Sequence, residues 1–133
     1  MIVVVAVDGS EHTAKVRQAA LDLATGPELH FVYVAESYIY PSMVADGVIV
    51  DLAAIQQNQR DAVWESVGDL PAGAEKVDLE GPVAQTIVEY ARTVSADLIV
   101  IGSRGRGAFG SLVLGSVSQG VIHHADRNVL IVK

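Results

Sequence analysis

Gly102-x-x-Gly105, followed after nine residues by Gly115-Ser116, is the spacing in this chain best suited to chemistry, and that chemistry is anion binding by backbone. Gly102 follows the apolar run DLIVI (97–101), where a glycine lets main chain approach a ligand without an intervening Cβ. Gly105 permits a turn whose N–H groups converge on an anion. Gly115-Ser116 falls at or near the start of a helical pattern, where free N–H groups and the helix dipole favour phosphate. Ser116 and Ser118 add hydroxyls. Arg104 and Arg106 add positive charge in a span, 98 to 125, that holds no carboxylate. Asp8, in the turn sequence DGS after another apolar run, either caps the helix that follows or faces a ligand.

Two familiar patterns overlie the same stretch and fit less well. Gly105-x-Gly107-x-x-Gly110 resembles a dinucleotide fingerprint, but that fingerprint belongs in the first turn of a βαβ unit with an acid about 20 residues on. Here NVLIVK and the end of the given sequence follow. Gly110-x-x-x-x-Gly115 resembles a Walker loop without its lysine. Asp8, Ser10 and His12 are triad residue types, yet no G-x-S-x-G elbow surrounds them. His123-His124 point about 100° apart on a helix and suit its carbonyl end better than a metal.

The elements that must position these residues alternate along the chain. IVVVAV (2–7), LHFVYVA (29–35), EKVDLE (75–80), DLIVI (97–101) and NVLIV (128–132) read as strands. Helical spacing appears after Ser10, which could cap it, up to Gly26-Pro27; over about 48 to 68, with an exposed polar middle QQNQR; after Gly81-Pro82, with proline at the first helical position; and up to His123-His124. This order predicts one α/β domain over residues 1–133, an open parallel sheet with helices on both faces and right-handed crossovers. Runs 2–7 and 97–101, the most apolar, are expected at its centre. Ligands bind such sheets beyond the carboxyl ends of the strands where strand order reverses, so DGSE and GSRGRG should face each other there. Gly120, inside a helical pattern, is read as close helix–sheet packing. Trp64 is read as packing; Tyr38 and Tyr40 either overhang the pocket or cover core.

Taken together, Gly102-x-x-Gly105-x9-Gly115-Ser116, IVVVAVDGSEHT, VDLEGPVAQTIVEYA, ADLIVIGSRGRG and NVLIVK resemble the universal stress protein family along nearly the whole chain, least over 36 to 73. The glycine spacing is similar to that of its ATP-binding subgroup. The resemblance implies an adenine nucleotide alpha hydrolase-like, Rossmann-like sheet of five parallel strands in order 3-2-1-4-5. It also implies ATP with Mg2+ as ligand. Ala6 and Val7 would line the adenine edge, Val34 would offer backbone groups to the base, and Asp8 would face the ribose or a phosphate-bound magnesium. Ile101 and Gly102 would pack by the ribose, and Arg104, Gly105, Gly115, Ser116, Val117 and Ser118 would hold the phosphates. Ala6-Val7 stand where many relatives have proline or threonine before the aspartate.

Relatives form homodimers through the last strand, and the same is expected of 128–132. Half of the residues are hydrophobic, 19% are charged and none is cysteine, which excludes disulfides and thiol catalysis. A net charge of −7 argues against non-specific attraction to nucleic acid or anionic membrane. No signal or membrane-spanning run appears, so a cytoplasmic protein is expected. The leading reading is a dimeric ATP-binding module of stress adaptation, with no catalytic residue and no protein metal site assigned. The rivals are a slow ATPase or autophosphorylating protein using Ser103, Ser116 or Ser118, and an interaction protein with a vestigial pocket.

Overall fold

The computed structural model describes residues 1–23, 26, 28–36, 44–45, 48–49, 52–104 and 114–133. Five parallel strands form the main sheet: β1 (Ile2–Ala6), β2 (Glu28–Ala35), β5 (Glu75–Glu80), β6 (Leu98–Gly102) and β7 (Asn128–Val132). Their spatial order is β5-β2-β1-β6-β7, which is 3-2-1-4-5 when these five alone are numbered. β1 is the middle strand, paired on one side from Ile2↔Glu28 and on the other from Val3↔Leu98. Val3, Val4 and Val5 are wholly buried, as a strand covered on both faces requires.

The helices divide between the two faces. α1 (Thr13–Asp22) and α2 (Leu52–Val67) cover one, over a core that includes Val5, Val16, Phe31, Val63 and Val100. α3 (Val83–Thr93) and α4 (Ser116–His124) cover the other, over Val4, Val32, Ile87, Ile99 and Val121. Side chains alternate across each strand, so Val32 and Val34 serve one core while Phe31 and Tyr33 serve the other.

Three sequence expectations shift. The second helix begins at Leu52 rather than near 48, because Val48–Ile49 is strand β4, paired antiparallel with β3 (Val44–Ala45). The sequence between them, Asp46-Gly47, is of the type suited to a two-residue hairpin. Ser10 does not cap α1; the N-cap position is His12, and Ser10 Oγ instead accepts the His12 N–H at 3.3 Å. Pro82 stands at the N-cap of α3, one position earlier than expected, with Val83 the first helical residue.

Helices α3 and α4 are locked together at their carbonyl ends by arginine. Arg127 Nη1 donates to the carbonyls of Ala91 and Ala96 at 2.9 and 2.7 Å, and its Nε to Asp126 Oδ1 at 2.8 Å. Arg92 donates to Asp126 Oδ2 and to the carbonyl of His124. The Arg127 and Arg92 hydrogen bonds hold the exposed Asp126 carboxyl down at about 2. Since that lies below its unfolded value near 3.9, the contribution is present above that value and is lost as pH falls through about 2. Arg127→Ala is expected to cost about 2 kcal/mol, through loss of its bonds to Asp126 and to the Ala96 and Ala91 carbonyls, the latter still accepting the Ala96 N–H, and to lower the melting temperature by roughly 8 °C at neutral pH. A calorimetric scan matching wild type would show that water replaces the guanidinium without loss.

Among the described residues, no helix is long and apolar enough to cross a membrane. Among the described residues β7 pairs with one strand, β6, and forms one edge of the sheet. At the opposite edge β5 carries Glu75, Lys76, Asp78 and Glu80, charges that discourage another strand from adding there.

Candidate functional site

Because β1 and β6 are parallel neighbours, the segments leaving them emerge side by side at the carboxyl edge of the sheet. β1 continues into Asp8, whose Oδ1 accepts the Ser10 N–H at 2.9 Å and lies 3.4 Å from Thr13 Oγ1. Gly9 turns there with φ of 75°, a left-handed conformation natural to glycine, and donates its N–H to Thr13 Oγ1 at 3.1 Å. The carboxylate thus organises the approach to α1 through one oxygen. Its Oδ2 takes no hydrogen bond among the described residues. Asp8 does not cap α1, whose N-cap is His12; one oxygen holds the turn before the helix, and the other takes no hydrogen bond among the described residues.

β6 ends at Gly102. A Cβ there would lie 3.3 Å from Val16 Cγ2 and from the Arg104 carbonyl, and 3.5 Å from His12 Cβ. Its missing side chain lets α1 close against the strand end, so protein neighbours supply a reason for this glycine that the sequence reading assigned to a ligand. The next residue ties the glycine segment at its root. Ser103 donates its N–H to Val132 at 2.8 Å, and its carbonyl accepts the Gly115 N–H at 2.8 Å and Ser118 Oγ at 3.2 Å.

That tie changes two expected roles. The buried Ser118 hydroxyl gives its one proton to carbonyls, Ser103 or Gly115, so it is not a free donor for a phosphate. The Gly115 N–H is likewise taken. What α4 leaves open are the N–H groups of Ser116, Val117 and Ser118, which find no backbone acceptor among the described residues, and the exposed Ser116 hydroxyl. Gly105 lies outside the described residues, as do Arg106, Gly107, Gly110, Tyr38 and Tyr40.

These groups border one cleft of about 750 Å³, and every expected site residue except Gly105 lines it. Ala6, Val7, Val34 and Ile101 form an apolar floor from the strand ends; Asp8 and Arg104 stand on its sides, with Gly102, Gly115, Ser116, Val117 and Ser118 beside them. Arg104 is the one arginine or lysine lining it among the described residues, against the carboxylates Asp8 and Glu36. No cluster of three or more His, Asp or Glu side chains suited to a metal occurs among the described residues.

Several cleft residues escaped the sequence reading. Leu52, Ile55, Gln56 and Gln59 form one side of the cleft, together with Tyr33 and Glu36, while Val83 and Ile87 come from α3. The polar run QQNQR was read as an exposed surface, yet Gln56 is half-buried. The signal was present: positions 52, 55, 56 and 59 follow the i, i+3, i+4, i+7 rule and share one helix face. Two of the four are amides, which hides the stripe from a search for apolar residues.

Other singled-out residues lie elsewhere. Trp64 Nε1 donates to Asp78 Oδ1 at 2.7 Å and Lys76 Nζ sits 4.8 Å from its ring centre, a contact between α2 and β5. His123 and His124 end α4 with their rings edge to face, 5.0 Å apart.

The family model "Universal stress protein family" matches residues 1–133. Universal stress protein YxiE of Bacillus subtilis is 30% identical, over 97% of this chain and 96% of its own. Among solved structures, a universal stress protein in complex with cAMP superposes with a TM-score of 0.62 at 26% identity, covering 99% of this chain and 95% of that one. The universal stress protein from Archaeoglobus fulgidus in complex with dAMP does so with a TM-score of 0.58 at 25% identity, covering 99% and 96%.

Proposed function

This chain belongs to the universal stress protein family, and from that premise we propose that it is an ATP-binding, nucleotide-responsive module of stress adaptation rather than an efficient enzyme. The observation that carries the reading is the placement, in the same cleft as Arg104, of N–H groups at Ser116 and Val117 and an oxygen of Asp8 that find no partner among the described residues. N–H donors and a guanidinium suit phosphates. The apolar floor at Ala6, Val34 and Ile101 suits a nucleobase, and the volume falls within the range of small-molecule clefts. The two solved relatives that hold cAMP and dAMP support an adenine nucleotide over other anions.

Mg2+ fits this donor set only as a companion of the phosphates, since Asp8 is the lone carboxylate beside the glycine segment and Glu36 comes from the end of β2. Asp8 Oδ2 and the Ser116 hydroxyl are the groups that would face it, and it would supply charge neutralisation. For turnover the side chains are poorly disposed. Ser103 is buried and the Ser118 hydroxyl is committed to carbonyls, so of these three serines Ser116 alone has an exposed hydroxyl with no partner among the described residues. No base is hydrogen-bonded to it among the described residues. We assign the protein to the cytoplasm and expect a homodimer through β7, where Leu130 is exposed on an edge strand.

Mass spectrometry of nucleotide released from freshly purified, denatured protein tests this. ATP is the expected species, and light scattering of the same preparation is expected at twice the chain mass. Mg-ATP at about 100 times its Kd should add about 2.7 kcal/mol, a melting shift of roughly 10 °C. ADP or AMP alone would favour hydrolysis. No nucleotide and no thermal shift would leave the interaction protein with a vestigial pocket.

A further inference from the structure

Of the four histidines in the chain, His12 alone lines the cleft. It stands at the N-cap of α1 with its main chain engaged on both sides. Its N–H donates to Ser10 Oγ at 3.3 Å, and its carbonyl accepts the Val16 N–H at 2.9 Å. Its side chain makes no capping bond. Serine, threonine, aspartate and asparagine serve that position because their side chains do cap it, and an imidazolium there opposes the positive end of the helix dipole. The helix thus gives no reason for histidine at this position; the cleft does. His12 shares a corner of it with groups assigned above to phosphate. A Cβ at Gly102 would lie 3.5 Å from His12 Cβ and 3.3 Å from the Arg104 carbonyl, so the start of α1, the end of β6 and Arg104 meet there.

We infer that His12 is a binding residue for the phosphates, acting as an imidazolium, so that the cleft takes up a proton together with an anionic nucleotide. The inference rests on the nucleotide reading above and adds how that site balances charge. Histidine is the side chain whose charge ordinarily changes between pH 5 and 8. Around it, Asp8 and Glu36 line the cleft as carboxylates and Arg104 as the one arginine or lysine among the described residues. Glu11 and Lys15 flank His12 in sequence and are exposed, and Lys133 follows β7; none of the three lines the cleft. β1, β6 and β7, on which α1 packs, carry no charged residue. On α2, Arg60 is paired with Asp78 and Glu80, and Asp61 and Glu65 also lie outside the cleft. Two carboxylates against one guanidinium leave no excess of positive charge for a triphosphate. The imidazolium supplies it when it is needed. In the empty cleft the helix dipole and Arg104 oppose a second cation; bound phosphates favour it. Protonation and binding are then linked, and each strengthens the other.

Titration calorimetry of Mg-ATP and of adenosine with wild type and His12→Asn, at about pH 5.5 and about pH 8, tests the assignment. Wild type is expected to bind Mg-ATP about tenfold more tightly than His12→Asn at the lower pH, the worth of one hydrogen bond to a charged group, and equally at the higher. Comparing the two proteins at one pH cancels the titration of the ligand itself. Adenosine, which has no phosphate, should not distinguish them at either pH. Near neutral pH, heats of Mg-ATP binding in two buffers of different ionisation enthalpy should show that wild type takes up protons and that His12→Asn takes up fewer. Asparagine is a preferred N-cap residue, so α1 should hold in the variant, and melting curves check this. Equal affinities at the lower pH, or no proton uptake by wild type, overturns the role of His12 while nucleotide binding stands. A loss shared equally by adenosine overturns it too, since His12 would then shape the cleft and not meet phosphate. Wild type that binds neither compound overturns both readings together.

Discussion

Replacing Gly120 with leucine is expected to cost about 3 kcal/mol and to lower the melting temperature by roughly 10 °C. A Cβ at Gly120 would stand 2.7 Å from the Cβ of Ala84, a separation no two such atoms adopt, so even the first added carbon forces α4 away from α3. Leucine is intrinsically a better helix former than glycine by most of a kcal/mol, so a net loss reports the clash and not the helix. Gly120→Ala sets the same conflict at its smallest, and adding Ala84→Gly should relieve it, giving a favourable coupling of about 1 kcal/mol in the double-mutant cycle. The displacement would also be felt at the site, because Val83 and Ser116 begin these two helices and both line the cleft. A leucine variant that melts with wild type would mean that the two helices separate freely.

Gly120 shows what periodicity encodes and what it leaves open. A glycine in a helical pattern announces close packing, and the sequence reading took it so, but expected a strand as neighbour; the neighbour is Ala84 of another helix. Strand positions were legible because β1, β6 and β7 are dense in Val, Ile and Leu, and the β5 boundaries, 75 and 80, coincide with the run as read. The 3-2-1-4-5 order came from family likeness and agrees with the alternation of strands and helices. The β3–β4 hairpin was lost because two-residue strands carry no period to detect. In the site, the residues adjacent to strand ends could be named in advance, since strand parallelism alone brings Asp8 and Gly102 to one edge. Gln56 could not, because its place depends on how α2 lies across the sheet. Nor could the commitment of Ser118, since a hydroxyl written in sequence does not say which carbonyl will take its proton.

Arg104→Glu is expected to weaken ATP binding about 100-fold or more while leaving adenosine within about twofold. Of the groups proposed to meet phosphate, the backbone donors at Ser116 and Val117 survive any side-chain change, so Arg104 is the one whose charge can be reversed without moving the main chain. Arg104 is also the only arginine or lysine lining the cleft among the described residues. Losing a charge-assisted hydrogen bond there costs about 1.5 to 3 kcal/mol, and the introduced carboxylate adds repulsion to a cleft that already holds Asp8 and Glu36. The penalty should grow with the charge of the ligand, from adenosine through AMP to ATP, and should shrink at high ionic strength, where the repulsion is screened. Arg104 is half-buried and has no ion-pair partner among the described residues, so the fold has little to lose from the change. Titration calorimetry of the three ligands at two salt concentrations reads all of this. Equal losses for adenosine and ATP would show that the substitution disturbs the apolar floor and not the phosphates. Unchanged ATP binding would move the phosphates away from Arg104 and leave the start of α4 to hold them without it.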